Sequence, residues 1–493
     1  MLWKQLFAKK SLELLHAEAM GDNRLRRALG PVALTSLGVG AIIGAGIFVM
    51  TGRVAAEDAG PAIVASYIVA GFACALAAFC YAEFASMAPV AGSAYTYAYA
   101  TLGELFAWII GWDLILEYAM SAATVSAVWS KYLNEFLRVC FGEAWVVPDR
   151  LCHDPFMTPG AIMNLPAVLI LGVVTTILVI GIRESAASNT ALVLLKLGVV
   201  LFVIAVGAAY VNPANWTSIS PDERRQPEEL LIPELARQEH KDNADAAKKL
   251  TAQAIATFKM ERAKASGDPE RIARVENHYG EVLKEITDSD KTAISAVLAK
   301  AKEEAPKKAQ AEEARKWGMF GMLGLNRSLV AVDNSVRSPV FPFGISGMML
   351  GAALVFFAFI GFDSISTHSE EAIRPQRDVP IGILASLFLC TILYVLVAGI
   401  ISGMEPYPYI DPDAAVASAF RTRAAQSGSM VLHASAGLIA AGALAGMTSV
   451  LLITFLSQAR VFLAMARDNL LPHSIFGVVH PRFRTPHVST MLT

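Results

Sequence analysis

Long apolar runs divide the chain, separated by short polar connections. The runs cover residues 32–50, 63–87, 105–128, 166–182, 191–210, 347–366, 381–402 and 438–456. Each is near the ~20 residues that a helix needs to cross the hydrocarbon of a bilayer, so the pattern predicts about eight membrane spans. Two of the runs are interrupted. The first carries Gly38, Gly40, Gly44 and Gly46, and the sixth carries Gly361 and Asp363. A helix-interior glycine costs about 1 kcal/mol relative to alanine. Such a span either packs backbone to backbone, as Gly40-xxx-Gly44 would allow, or is broken, with its freed peptide groups lining a cavity.

Between the fifth and sixth runs the pattern changes. Residues 221–316 are polar, alanine-rich and crowded with Lys and Glu. Helical periodicity covers 243–265, 269–286 and 291–315, with starts at Asp268-Pro269 and Ser289-Asp290. This predicts a small helical hairpin or bundle inserted between the fifth and sixth spans. Residues 1–19 interleave Leu2, Leu6, Leu12, Leu15 and His16 with Lys and Glu, which predicts an amphipathic helix on the membrane surface. Residues 484–493 read as the first turn of a ninth span.

Orientation follows from Lys and Arg in the short flanks. Arg24, Arg26, Arg27, Arg183, Arg374, Arg377, Arg460, Arg467, Arg482 and Arg484 fall on one side. Arg53, Lys131, Arg138, Arg150, Arg421 and Arg423 fall on the other. The bias predicts a cytoplasmic N-terminus and an insert facing outward. The expected division is a cytoplasmic segment 1–29, a first repeat 30–211, an extracytoplasmic loop with the insert 212–345, and an incomplete second repeat 346–493.

Composition agrees: of 493 residues, 55% are hydrophobic and 17% charged, which places the chain among multi-pass membrane proteins. A net charge of -2 gives no case for a nucleic-acid partner. Five cysteines without a CxxC or Cys/His spacing predict neither metal nor cofactor. Cys140 and Cys152 share the loop between the third and fourth spans and are a candidate disulfide, with two free thiols as the alternative. Cys74, Cys80 and Cys390 lie within spans and read as small packing residues.

The two interrupted spans stand five apart. Five is odd, so the halves they head run oppositely through the bilayer. Inverted repeats headed by broken helices point to a secondary transporter. At such a site a half-helix N-terminus faces an anion and freed carbonyls face a cation. A zwitterion suits both: its carboxylate on the amides of Gly44, Ala45 and Gly46, its ammonium on the carbonyls of Phe357, Ala358 and Ile360. Lys196, six residues into the fifth span, either snorkels to the surface or is a buried amine that reaches the broken first span and carries a proton. Asp113 and Glu117, four apart on one face, bind a cationic group or sit in a water-filled vestibule. Asp363 caps the inner half of the second break or pairs with a base.

The stretches Gly38-Val39-Gly40-Ala41-Ile42-Ile43-Gly44-Ala45-Gly46-Ile47-Phe48, Pro89-Val90-Ala91-Gly92-Ser93-Ala94-Tyr95-Thr96-Tyr97 and Phe357-Ala358-Phe359-Ile360-Gly361-Phe362-Asp363 resemble the amino acid–polyamine–organocation superfamily. Glu370-Glu371 with Pro375-Gln376-Arg377-Asp378-Val379-Pro380, Gln458-Ala459-Arg460, and Arg467-Asp468 to Leu471-Pro472 extend the likeness, which is nearest to bacterial relatives of cationic amino acid transporters. The resemblance implies an all-α, five-plus-five inverted-repeat fold in the cell (inner) membrane, with alternating access, an amino acid substrate and a coupled proton, and no enzymatic activity. It places Ile43, Gly44, Ala45 and Gly46 at the substrate carboxylate, and Phe357 as an aromatic gate. Ala358, Phe359 and Ile360 would surround the amino group and side chain. Lys196 matches the lysine that stands in for a sodium ion in proton-coupled members, faced by Thr448 and Ser449. Three departures stand out: Ala41 and Ala45 replace hydroxyl residues common in relatives, the insert has no counterpart, and relatives continue to twelve or more spans. A non-transporting sensor or assembly subunit, using the insert to bind a partner, is the alternative.

Overall fold

A computed structural model of the chain describes residues 7–11, 29–88, 90, 92–155, 161–180, 182–240, 244–322, 327–412, 414–428, 430–478, 480 and 486–493. Most of the expected amphipathic segment, and Arg24, Arg26, Arg27, Arg482 and Arg484 of the orientation argument, lie outside the described residues. Within the described residues the chain is helical throughout, with no strand and one isolated bridge between Leu29 and Ala372.

The principal helices are α1 (Pro31–Ile42), α2 (Ile63–Met87), α3 (Ala94–Thr101), α4 (Glu104–Phe141), α5 (Leu165–Ile180) and α6 (Ile182–Gly207). The insert contains α7 (Pro227–Glu239), α8 (Ala244–Ser266), α9 (Pro269–Lys284) and α10 (Asp288–Trp317). Then come α11 (Gly344–Val355), α12 (Pro375–Met404), α13 (Ala415–Ser427) and α14 (Met430–Arg467). Among the described residues, six helical stretches are long and apolar enough to cross a membrane: Gly46–Met87, Glu104–Phe141, Ala191–Tyr210, Gly344–Glu371, Pro375–Met404 and Ala434–Arg467. Pro31–Ile42 and Leu165–Val179 are shorter apolar helices. The chain is a polytopic helical membrane protein.

Helix α2 shows how apolar helices pack here. One face, with Tyr67, Ala70, Cys74, Ala78 and Ala85, is buried. The other exposes Ile68, Phe72, Leu76 and Phe79, which suits contact with lipid. Along the buried face α12 lies against α2 and α1, while α14 lies against α4 and α6. Small residues permit the approach: a Cβ placed on Gly442 of α14 would come within 2.5 Å of Val199 on α6.

The insert has a core of its own, formed by Leu231, Ile232, Leu235, Leu250, Phe258, Ile294, Val297 and Leu298. Its described residues form four α-helices. The sequence periodicity missed α7, whose internal Pro233 resembles a break, although Pro227, Glu228 and Glu229 form a favourable first turn. Asp268 caps α9 through the Glu270 amide at 2.9 Å, as its sequence predicts. Helix α10 starts earlier than Ser289-Asp290 because Thr287 is its cap: the Thr287 hydroxyl accepts from the Asp290 amide, and Asp290 accepts from the Thr287 amide at 3.0 Å.

Candidate functional site

The first span breaks at Ile43. Helix α1 ends at Ile42, and Ile43 is extended, with ψ 101°. Helical turns resume at Gly46–Met50 and continue through Thr51–Val54 and Ala55–Ala59. Gly38 to Val49 are all buried. A break at this depth frees carbonyls that water does not reach, so each needs a donor. The donors come from five other helices. Lys196 Nζ on α6 donates to Gly40 O at 2.6 Å and to Ile43 O at 2.9 Å. Ser449 on α14 donates to Gly40 O at 3.4 Å. Tyr394 on α12 donates to Ile42 O at 2.8 Å, Tyr67 on α2 to Gly46 O at 3.1 Å, and Tyr132 on α4 to Phe48 O at 2.9 Å.

The second break follows α11. A 3₁₀ turn covers Phe356–Phe359, and Ile360 is extended, with ψ 134°. Gly361 takes φ 111°, a region that favours glycine, before a second 3₁₀ stretch at Asp363–Glu371. Asp363 is buried and accepts from Tyr118 on α4 at 2.6 Å.

The breaks face each other. A Cβ on Gly46 would sit 2.3 Å from Ala358 Cβ, and one on Gly361 would sit 2.9 Å from Ala41 Cβ. The Tyr394 hydroxyl joins them, lying 2.8 Å from both Ile42 O and Ala358 O. One phenol carries one proton, so it serves both carbonyls only by sharing.

The expected site residues separate into two groups. Ile43, Gly44, Ala45, Gly46, Ala358, Lys196 and Ser449 are buried at or beside the breaks. Lys196 is fully buried. Phe357 and Ile360 are half-buried at the second break. Phe359 instead packs into the core, with its ring 5.3 Å from that of Tyr394 and 6.3 Å from that of Tyr67. Thr448 accepts from Trp129 Nε1 at 3.1 Å and donates to Leu444 O, so it faces α4 where Ser449 faces α1. Asp113 is exposed while Glu117 is half-buried and within electrostatic reach of Asp363. Cys140 and Cys152 are not bonded to each other: Cys140 is exposed, and Cys152 Sγ accepts from Asn134 Nδ2 at 3.2 Å. Cys74 and Cys390 are buried, whereas Cys80 is exposed.

Sequence reading missed Tyr67, Tyr132 and Tyr394. The available signal was their position within apolar runs, where a hydroxyl requires a partner.

Two family models, each described as amino acid permease, match residues 29–247 and 320–493. The chain is 34% identical over 488 residues to the methylthioribose transporter of Bacillus subtilis (strain 168), spanning 99% of this chain and 77% of the relative. It is 35% identical over 493 residues to the branched-chain amino acid permease BcaP of the same organism, spanning 98% and 76%. A vacuolar cationic amino acid transporter 4 of Arabidopsis thaliana is 28% identical over 487 residues, spanning 99% and 60%. The chain belongs to the amino acid permease families of the amino acid–polyamine–organocation superfamily, which are transporters and not enzymes.

Proposed function

We propose that this chain carries an α-amino acid across the cell membrane by alternating access, with Lys196 as the site of a coupled proton. The observation that carries the reading is the fully buried Lys196 amine, its Nζ on the carbonyls of Gly40 and Ile43 at the first break. Relatives named for branched-chain and cationic amino acids support the substrate class.

The substrate carboxylate is assigned to the amides of Gly44, Ala45 and Gly46, at the start of the resumed helix, where the N–H groups lack intrahelical partners. Ala41 and Ala45 offer no hydroxyl, so this recognition rests on the backbone. The substrate ammonium is assigned to the carbonyl side of the second break, at Phe357 to Ile360. Phe357 closes over the bound molecule, and the half-buried Phe357 and Ile360 set an apolar limit on its side chain.

Charged Lys196 binds its two carbonyls through charge-assisted bonds, roughly twice as strong as neutral ones. Loss of the proton leaves a neutral amine with weaker donors. The inner half of the first span is then held less firmly, and substrate departs to the side that took the proton. The bundle that rocks comprises spans one, two, six and seven.

Uptake of a panel of labelled α-amino acids into proteoliposomes tests this, with and without an imposed proton gradient. At least one should accumulate above its outside concentration only under the gradient. Accumulation indifferent to the gradient would sink the coupling, and uptake of no α-amino acid would sink the substrate class.

A further inference from the structure

The family matches leave residues 248–319 between them, so most of the insert has no assigned role. Its contacts suggest one. Arg315 on α10 reaches Asp58 Oδ1 at 2.5 Å, and Arg225, just before α7, lies 3.6 Å from Glu57. Glu57 and Asp58 end the outer half of the first broken span. Lys316 sits 5.6 Å above the ring of Phe343, at the head of the other broken span. A third contact is the segment 405–411 between α12 and α13. There Lys259 donates to Pro408 O at 3.4 Å, and Arg225 donates to Ile410 O at 2.9 Å. Tyr409 packs with Ala263, Val275 and Tyr279, its ring 4.9 Å from that of His278. His278 Nδ1 is 3.9 Å from Glu405 Oε1.

The described residues of 405–427 in turn cover the first span. A Cβ on Gly52 would lie 2.1 Å from Ala415 Cβ and 3.0 Å from Asp411 O. Arg421 pairs with Glu135 near the end of α4. This segment therefore lies as a lid over the insert-side halves of spans one and three.

We propose that residues 225–317 are a proton-responsive latch that holds this lid to the ends of both broken spans and must release before the site opens to the insert side. The consequence for uptake rests on the transport reading above; the latch itself does not.

The proton response comes from two groups at the contact, Glu405 enclosed and His278 partly open to solvent. Glu405 is 5% exposed, and its Oε2 has no hydrogen-bond partner among the described residues. Burial pushes its carboxyl up to about 8 from an ordinary 4.5, with Asp411 adding to the rise and Arg423, Arg421 and Arg225 opposing it. Burial, with Lys259 and Arg225 nearby, pushes His278 down to about 4 from an ordinary 6.5. Tyr279 and Tyr409 flank the same imidazole, whose side chain stays 28% exposed, and Lys259 is itself paired with Glu229 at 2.9 Å.

Docked Glu405 keeps a proton that the released carboxyl would lose, so docking weakens tenfold per unit as pH rises from 4.5 to about 8. Docked His278 refuses a proton that the released ring would take, so docking strengthens as pH rises from about 4 to 6.5. Between 4.5 and 6.5 the two cancel. From 6.5 to 8 the Glu405 response dominates, and docking weakens about eightfold, because each end of the window is a titration midpoint.

Hydrogen exchange of residues 405–411 and 272–279 in the full chain, in lipid, reads docking without substrate. After correction for intrinsic exchange, protection should stay nearly level from pH 5 to 6.5 and fall about eightfold by pH 8. Glu405→Gln should abolish the fall. Arg315→Glu should lower protection at every pH and raise initial uptake at pH 6.5 severalfold, and combining it with Asp58→Arg should restore both. Level protection from 6.5 to 8 in the unaltered chain, or an unchanged slope in Glu405→Gln, would overturn the latch. Absence of uptake in every variant, with the slope intact, would support the latch and count against transport.

Discussion

Two lysines are buried among the described residues, and they are held in opposite ways. Lys259, in the insert, is 7% exposed and paired with the buried carboxylate of Glu229 at 2.9 Å. Lys196, at the first break, is fully buried and meets only backbone carbonyls at hydrogen-bond distance. Deprotonating Lys259 would strand the buried Glu229 carboxylate, so the pair opposes the loss of that proton which burial alone would favour. Deprotonating Lys196 would leave two neutral carbonyls with weaker donors. Similar burial thus gives a structural ion pair in one place and, in the transport cycle proposed above, a proton able to leave in the other.

The largest effect is expected at the fixed pair. Lys259→Met leaves Glu229 buried without its cation, which costs about 3–5 kcal/mol. Thermal unfolding of the insert should shift down accordingly, and adding Glu229→Leu should recover most of the loss. An unchanged melt in Lys259→Met would remove the contrast from that side.

Next is Gly46→Ala. Its Cβ would lie 2.3 Å from Ala358 Cβ and 2.5 Å from Ala358 Cα. Overpacking of this kind costs about 1–3 kcal/mol. Amino acid affinity, measured calorimetrically, should fall about tenfold or more, because the two breaks are forced apart. Retained affinity would mean the site does not lie between them.

Tyr394→Phe removes the one donor shared by Ile42 O and Ala358 O. A lost net hydrogen bond and an unsatisfied buried carbonyl amount to about 1–2 kcal/mol. Uptake should slow about tenfold while dependence on the proton gradient stays, since Lys196 is untouched. Loss of that dependence would shift the coupling role toward Tyr394.

The smallest effect belongs to Ser449→Ala. Its hydroxyl lies 3.4 Å from Gly40 O, already served by Lys196 at 2.6 Å. A change under about 1 kcal/mol, or less than about fivefold in uptake, is expected. A larger loss would make the serine an equal partner in holding the break.

The breaks were legible in the sequence because glycines and an acid inside apolar runs have few physical excuses. Both explanations offered for the first span occur together. The helix does break at Ile43, and Gly38 also packs so closely that a Cβ there would lie 2.4 Å from Ile365. Lys196 was legible as a charge in a span, but not its partners. Which carbonyls an ammonium or phenol meets depends on how helices distant in sequence register against one another. For that reason the roles of Tyr67, Tyr132 and Tyr394 are not legible in the sequence, nor are the contact of Thr448 with Trp129 and those of Phe359 with Tyr394 and Tyr67. In the insert, local signals located the cap of α9, while Pro233 hid α7, which is held by tertiary packing through Leu231, Ile232 and Leu235.

The most direct test of the central claim follows protons and substrate together. Proteoliposomes enclosing a pH-sensitive dye, given an amino acid the chain transports, should acidify inside as substrate enters. Lys196→Ala should still exchange labelled for unlabelled substrate across the membrane, with no acidification and no accumulation under a proton gradient. Substrate-driven acidification by Lys196→Ala equal to that of the unaltered chain would contradict the account.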